Sequence, residues 1–267
     1  MNNRMEKFSQ IVKWYKYIDP RTWKIASQVD LNPNELTSIL TTDLEKDKQV
    51  QLGLSVLAFH YIWNHEHAQL AQQILKQLLK SGEEIFHPFF YFLKSKACHF
   101  KGEYDLSLAF LNKAEESLQS SINRNFDYRQ LLTCIGSLND KDPEGIEYTV
   151  MKAIISNDKG NNYYAIGLYD EAINAFTCAL NLQIEAYSTM CHANIAYTRR
   201  CMGKSFEEKG MRLEAIEQYD LAASIANDIY DECHPEAIAI KKALDHCHLQ
   251  DSESEIRPSN SNAQLRR

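Results

Sequence analysis

The chain is poor in the residues that break helices and has no long apolar run. Its 267 residues include only 9 glycines and 6 prolines, although 44% are hydrophobic and 24% are charged. An all-β fold needs more turn residues than this, so the composition predicts an all-α protein long enough for one elongated domain. The longest apolar stretches, such as residues 52–63, stay well under the roughly 18 residues that a membrane span requires. We therefore expect no membrane segment.

Net charge, cysteine content and the amino-terminal sequence indicate where the protein is located and which partners it lacks. The formal net charge of −7 argues against a nucleic-acid-binding surface. Seven cysteines, an odd number, are scattered mostly over predicted helices, which favours reduced thiols over a disulfide framework. The first residues are polar and of mixed charge, without the apolar core of a signal peptide. We expect a cytoplasmic protein that binds neither nucleic acid directly nor a membrane.

Two segments of the chain repeat each other. Residues 160–180 and 203–223 align at one constant spacing, in the order small, aromatic, glycine, alanine, aromatic, alanine. The matched pairs are Gly160/Gly203, Tyr163/Phe206, Gly167/Gly210, Ala172/Ala215, Phe176/Tyr219 and Ala179/Ala222. This order is typical of tetratricopeptide repeats (TPR), in which small residues let two antiparallel helices approach closely. Because one hairpin cannot bury its apolar face alone, the pattern predicts a right-handed superhelical solenoid.

A weaker third copy precedes these two. It runs through Tyr91, Ser95, Cys98, Gly102, Tyr104, Leu111 and Ala114. Its glycine lies more than one and less than two repeat lengths before Gly167, so residues 118–155 must hold an irregular helical pair or a hairpin with a short connection. We expect Gly167 to close the first helix of its pair, where the chain needs a left-handed residue.

Proline positions and composition divide the chain into three parts. Residues 1–50 have the pattern of short helices, punctuated by Pro20 and Pro33, and are predicted to form a helical head. Residues 51–249 are predicted to form the TPR-like solenoid. Residues 250–267 are polar and nearly free of apolar side chains, so we expect a disordered tail.

Several short motifs follow one another in a characteristic order. They are Trp14-Tyr15-Lys16, the acidic-then-apolar stretch 43–52, residues 55–60, the aromatic run 89–92, residues 102–105 and residues 113–115. Over roughly residues 10–225 the chain resembles the Rap proteins of Gram-positive bacteria, response-regulator aspartate phosphatases and their relatives. The resemblance implies a three-helix bundle that binds a response regulator, joined to repeats that bind a short secreted and reimported signalling peptide, as in quorum sensing. Some members dephosphorylate the regulator, and others block its DNA-binding domain.

The resemblance leaves enzymatic activity open. Phosphatase members place a glutamine just before an apolar helix, where its amide aims a water at the aspartyl phosphate. Here Gln49 is the candidate for this role and Gln51 the alternative, although alignment on Ser55 and Phe59 puts Lys48 at the glutamine position. Both glutamines also fit solvent-facing positions at a helix start. The protein is then a regulator with or without phosphatase action, or alternatively a non-catalytic TPR adaptor or chaperone that binds a partner protein.

Polar residues on the first helices of the two clear repeats form the predicted peptide-binding face. Counting from the repeat glycines gives seven candidates: Asn157, Asn161, Tyr164, Tyr197, Arg200, Lys204 and Glu207. Amides can hold the backbone of an extended peptide, and Arg200 and Lys204 can bind a terminal or acidic carboxylate. The alternative is a hydrated helix face without a ligand. Because the chain is shorter than members of the family it resembles, we expect a groove that is truncated or is completed by dimerisation.

Three groups of adjacent cysteine and histidine residues lie in the second half of the chain. They occur as Cys191-His192, Cys233-His234 and His246-Cys247-His248. Adjacent residues of a helix point about 100° apart, so these groups cannot converge on a metal as a CxxC motif does. We therefore predict buried cysteines and exposed histidines, with neither a metal nor a cofactor.

Overall fold

The described part of the structure, a computed structural model, is entirely helical in its regular elements. It comprises residues 58, 87–119, 128–135, 137–138 and 141–256. The helices in these ranges are α1 (His87–Phe100), α2 (Tyr104–Gln119), α3 (Tyr128–Cys134), α4 (Glu147–Ala165), α5 (Tyr169–Tyr187), α6 (Ala193–Glu208), α7 (Arg212–Ile229) and α8 (Pro235–Ile256). The predicted all-α class is confirmed for this part of the chain. Within it, no helix has the length and apolar character needed to cross a membrane.

The chain divides into two compact units at Thr189. In the first unit α1 packs on α2, α4 packs on α5, and α2 and α3 both contact α4. In the second unit, which begins at Met190, α7 packs against both α6 and α8. The boundary falls inside residues 51–249, the predicted solenoid, and the predicted head lies outside the described residues.

Three helix pairs are closed by the same turn. Gly102, Gly167 and Gly210 have φ angles of 77°, 79° and 75°, a left-handed conformation in which glycine has no Cβ to clash. In each turn the residue after the glycine donates its backbone N–H to a carbonyl of the helix that is ending, as in a Schellman motif. These hydrogen bonds join Glu103 to Cys98 at 3.0 Å, Leu168 to Tyr163 at 2.9 Å and Met211 to Phe206 at 2.9 Å. The predicted role of Gly167 is confirmed.

Two of the pairs share a close contact between a glycine and an aromatic ring. A Cβ atom added to Gly160 would lie 2.5 Å from Cε1 of Phe176, and one added to Gly203 would lie 2.7 Å from Cε1 of Tyr219. Both rings are buried, with exposed fractions of 1% and 0%. Each ring therefore packs directly on the backbone of the facing helix, which only a residue without a side chain permits.

The region that sequence analysis could not assign contains one short helix in its described residues. Within residues 118–155, α3 is 7 residues long and precedes α4. Arg129 of α3 donates to the carbonyls of Pro143 and Asp142 at 2.9 and 2.8 Å, and its Nη1 lies 3.0 Å from a carboxylate oxygen of Glu147. Through Arg129, the short helix α3 is therefore hydrogen-bonded to the loop before α4 and to the first residue of α4.

The last helix extends beyond its predicted end. We expected a disordered tail from residue 250, but α8 continues to Ile256. Residues 250–256 contain no glycine or proline, and glutamate and glutamine are good helix formers. The first strong disruption is Pro258, which disfavours helix at the residue before it. The prediction placed this boundary too early, and residues 257–267 lie outside the described part.

Candidate functional site

The seven predicted peptide-binding residues lie on two helices, one in each unit. Asn157, Asn161 and Tyr164 belong to α4, and the other four belong to α6. Each group is therefore described within its own unit. The predicted catalytic residues, Gln49 and Gln51, lie outside the described residues.

The three predicted residues of α4 are more buried than a hydrated helix face requires. Asn157 is 7% exposed, and Asn161 and Tyr164 are half-buried. The Nδ2 of Asn161 donates to Oδ1 of Asp158 at 3.4 Å, and the ring centroid of Tyr164 lies 5.8 Å from that of Tyr169. Asn161 thus lies at the edge of a polar cluster, whereas Asn157 belongs to the packed side of the helix.

This polar cluster, the α1–α4 cluster, consists of Lys96, His99, Asp158 and Asn162. Nζ of Lys96 lies 2.6 Å from Oδ1 of Asp158, and the two side chains are 10% and 8% exposed. One turn further along both helices, Nδ1 of His99 and Oδ1 of Asn162 are 3.1 Å apart. Because both contacts advance in the same chain direction, α1 and α4 run parallel. Within the described residues, Oδ2 of Asp158 is buried without a hydrogen-bond partner.

Sequence analysis did not identify the α1–α4 cluster. The sequence does contain a pattern that indicates it, because charged and amide side chains recur at helical spacing in α1 and in α4. The irregular stretch between the two helices prevents the sequence from showing that these side chains lie next to each other. A charge buried in this way must be paired to be tolerated, so the cluster fixes the position of α4 beside α1.

In α6, Arg200 binds a carboxylate of the same unit. Its Nε lies 2.5 Å from Oε1 of Glu236, and its Nη2 lies 3.1 Å from Oε2. The guanidinium carbon also lies 5.3 Å from the centroid of the Tyr197 ring. Burial by itself lowers the pKa of Arg200, but Cys201 and Glu236 raise it, and the net shift is upward. The arginine is therefore a charged group in a two-pronged ion pair.

The remaining two predicted residues of α6 differ in their contacts. Glu207 accepts a hydrogen bond from the Tyr219 hydroxyl at 2.9 Å, and its other oxygen lies 2.8 Å from Nδ1 of His246. Glu207 is therefore engaged by both α7 and α8. Lys204, one turn from Arg200, is half-buried and has no ion-pair partner among the residues described. It is a cation without a neutralising carboxylate.

Two histidines cap helices rather than projecting into solvent. Nδ1 of His192 accepts the backbone N–H of Asn194 at 3.2 Å at the start of α6, and Nδ1 of His234 accepts that of Glu236 at 3.2 Å at the start of α8. The two residues are 9% and 3% exposed, and the His234 ring stacks on Tyr230 with the centroids 3.8 Å apart. The prediction of exposed histidines was wrong here, because a capping side chain turns inward toward the first helical turn.

The cysteines beside these histidines also differ from the prediction. Cys191 and Cys233 are exposed, whereas Cys247 is buried between the exposed His246 and His248, as predicted. Among the described residues, no three side chains of histidine, cysteine, aspartate or glutamate are grouped to hold a metal ion.

Comparison with known proteins bears on the fold alone. No protein-family model matches the chain, and no curated protein matches it. The chain is similar in structure to BtubC (BKLC) from P. vanneervenii, known from a crystal structure. The TM-score is 0.52 at 12% sequence identity, and the match covers 98% of this chain and 95% of that chain. At this identity the likeness carries no information on function.

Proposed function

We propose that the protein is a Rap-like regulator built on a TPR-like solenoid, which binds a short signalling peptide through the first helices of its repeats. Three helix pairs closed by the same glycine turn support the solenoid. The parallel course of α1 and α4 supports it further, because equivalent helices of stacked repeats lie side by side. The close glycine-to-ring contacts in two pairs are of the kind that TPR helices require.

The observation that carries the peptide-binding function is the pair of cations on α6. Arg200 already holds a carboxylate in a two-pronged geometry, and Lys204 lies one turn away without an ion-pair partner in the described part of the chain. A guanidinium matches the shape of a carboxylate and binds it through two parallel hydrogen bonds. This face therefore suits a peptide that carries a carboxylate.

The response-regulator partner is proposed from the sequence resemblance. In this proposal residues 1–50 bind the regulator, and Gln49 or Gln51 aims a water at its aspartyl phosphate. Binding without catalysis is the alternative form of the same function. Both a response regulator and a reimported peptide place the protein in the cytoplasm.

The test compares the full chain with a chain that lacks residues 1–48. Both are mixed with response regulators of the source organism, and complexes are separated by size-exclusion chromatography. The proposal expects the truncated chain to lose the response regulator. A truncated chain that keeps its protein partner favours a plain TPR adaptor, in which the head has no binding function.

A further inference from the structure

The Arg200–Glu236 pair has the geometry of a ligand-binding contact inside the protein. Two N–H groups on one edge of the guanidinium, those of Nε and Nη2, are directed at one carboxylate, and the side chains are 11% and 18% exposed. Such a fork selects a carboxylate by shape as well as by charge. A buried ion pair adds little net stability compared with well-packed apolar residues, so stability alone does not account for it.

The pair holds one end of α8. A buried apolar cluster anchors the second half of that helix, where Cys247 contacts Ala215 and Tyr219. The first turn is attached differently, because there Glu236 binds Arg200 of α6. Loss of the ion pair would therefore release the first turn of α8 from α6, while the His234 stack on Tyr230 and the apolar cluster still hold the helix.

The surroundings of the pair favour an additional negative charge. Glu236 neutralises Arg200, but Lys204 has no such partner among the residues described. The first turn of α8 also favours a carboxylate, because the aligned peptide dipoles give a helix start a partial positive charge. A second carboxylate that approaches Arg200 has Lys204 one helical turn away on the same helix.

We propose that Arg200 is a ligand carboxylate site that the protein occupies with its own Glu236. The carboxylate of a bound peptide replaces Glu236 on the guanidinium, and the first turn of α8 then loses its contact with α6. The exchange keeps Arg200 paired, and the released Glu236 moves into solvent with the first turn of α8, so no buried charge is left uncompensated. This inference rests on the proposed peptide-binding function and names the ligand chemistry and the element that responds.

The experiment uses the full chain and short synthetic peptides of random sequence. Glu236→Gln removes the internal carboxylate and keeps its shape. The double variant Arg200→Gln/Glu236→Gln is the matched control, since it keeps the Glu236→Gln change and removes the guanidinium. One peptide pool has free carboxyl termini but lacks aspartate and glutamate, one is amidated but contains both, and one is amidated and lacks both. Retained peptides are quantified by mass spectrometry.

The expected result is that Glu236→Gln retains about tenfold more peptide than the wild type, because one competing charge-assisted contact is gone. The gain is confined to pools that carry a carboxylate, and the pool that shows it identifies a carboxyl terminus or an acidic side chain as the source. The double variant shows no gain. In the wild type, addition of that pool raises the rate of hydrogen exchange in the first turn of α8. This measurement does not depend on the folding of any variant.

Two results would overturn the inference, and only one of them also rejects the proposed peptide-binding function. In the first result, peptides with and without a carboxylate are retained equally well, and hydrogen exchange in α8 does not change. This result rejects the replacement of Glu236 by a ligand carboxylate but leaves peptide binding intact. If neither the wild type nor Glu236→Gln retains any pool, both the exchange and the proposed peptide-binding function are rejected.

Discussion

Lys96 and Asp158 form a buried ion pair that joins α1 to α4, with Nζ 2.6 Å from Oδ1. Removal of one partner leaves the other charge buried without compensation, which typically costs about 3–5 kcal/mol. We therefore expect Lys96→Met to lower the free energy of unfolding by about 3 kcal/mol or more, measured by urea denaturation.

The matched control for this pair is Lys96→Met/Asp158→Asn. Because both charges are then removed and asparagine keeps the volume of aspartate, this double variant should recover part of the lost stability. A single variant as stable as the wild type would contradict the account, since it would mean that Asp158 is solvated.

Gly160→Ala tests the close contact with Phe176. Alanine favours helix over glycine by about 1 kcal/mol, but a Cβ here would lie 2.5 Å from Cε1 of the ring, and such overpacking typically costs about 1–3 kcal/mol. We expect a net loss of stability, seen as a lower Tm in thermal unfolding. Phe176→Leu in the same chain should restore part of it, and a more stable Gly160→Ala variant would refute the contact.

Gly167→Ala tests the strain of a left-handed backbone conformation at a position where a side chain meets no neighbouring atom. The residue has a φ of 79°, and a Cβ there would meet no atom within 4 Å. We expect the alanine variant to lose about 1–2 kcal/mol, because an L residue is strained in this conformation, and Gly167→Asn to lose less. The two variants are compared by urea denaturation. Equal stability of alanine, asparagine and glycine at this position would mean that the turn is not left-handed.

The end of α4 was predictable because its determinants are local. A Schellman turn needs one left-handed residue and hydrogen bonds within a few positions, so Gly167 was enough to place it. The region around α3 was not predictable. Arg129 reaches carbonyls and a carboxylate of a separate loop and helix, and no short-range pattern encodes those contacts.

The candidate site was predictable only in part. The sequence placed Arg200 on a first helix and assigned it carboxylate binding, but its partner Glu236 depends on how α8 packs against α6. The capping roles of His192 and His234 did have a sequence signal, since a Cys-His pair precedes each of two helices. Cysteine and histidine are also metal ligands, so the pairs do not by themselves indicate a helix cap.

The Cys191 thiol should be a slow nucleophile even though it is exposed. Burial of the sulfur raises its pKa, and the nearby Asp228 carboxylate, 3.9 Å from Sγ, raises it further. A higher pKa leaves less thiolate near neutral pH, so alkylation is slower. Asp228→Asn lowers the pKa and should speed reaction of Cys191 with iodoacetamide, followed by site-resolved mass spectrometry. An unchanged alkylation rate in Asp228→Asn would mean that the Asp228 carboxylate does not raise the pKa of Cys191.

The most direct measurement is co-elution of the full chain with phosphorylated response regulators of the source organism, with phosphate release followed in parallel. The account predicts a stable complex with at least one regulator. Phosphate release that disappears in Gln49→Ala would assign phosphatase activity, and a complex without release would make the protein a sequestering regulator. If the full chain elutes apart from every regulator and releases no phosphate, the account of a Rap-like regulator is contradicted.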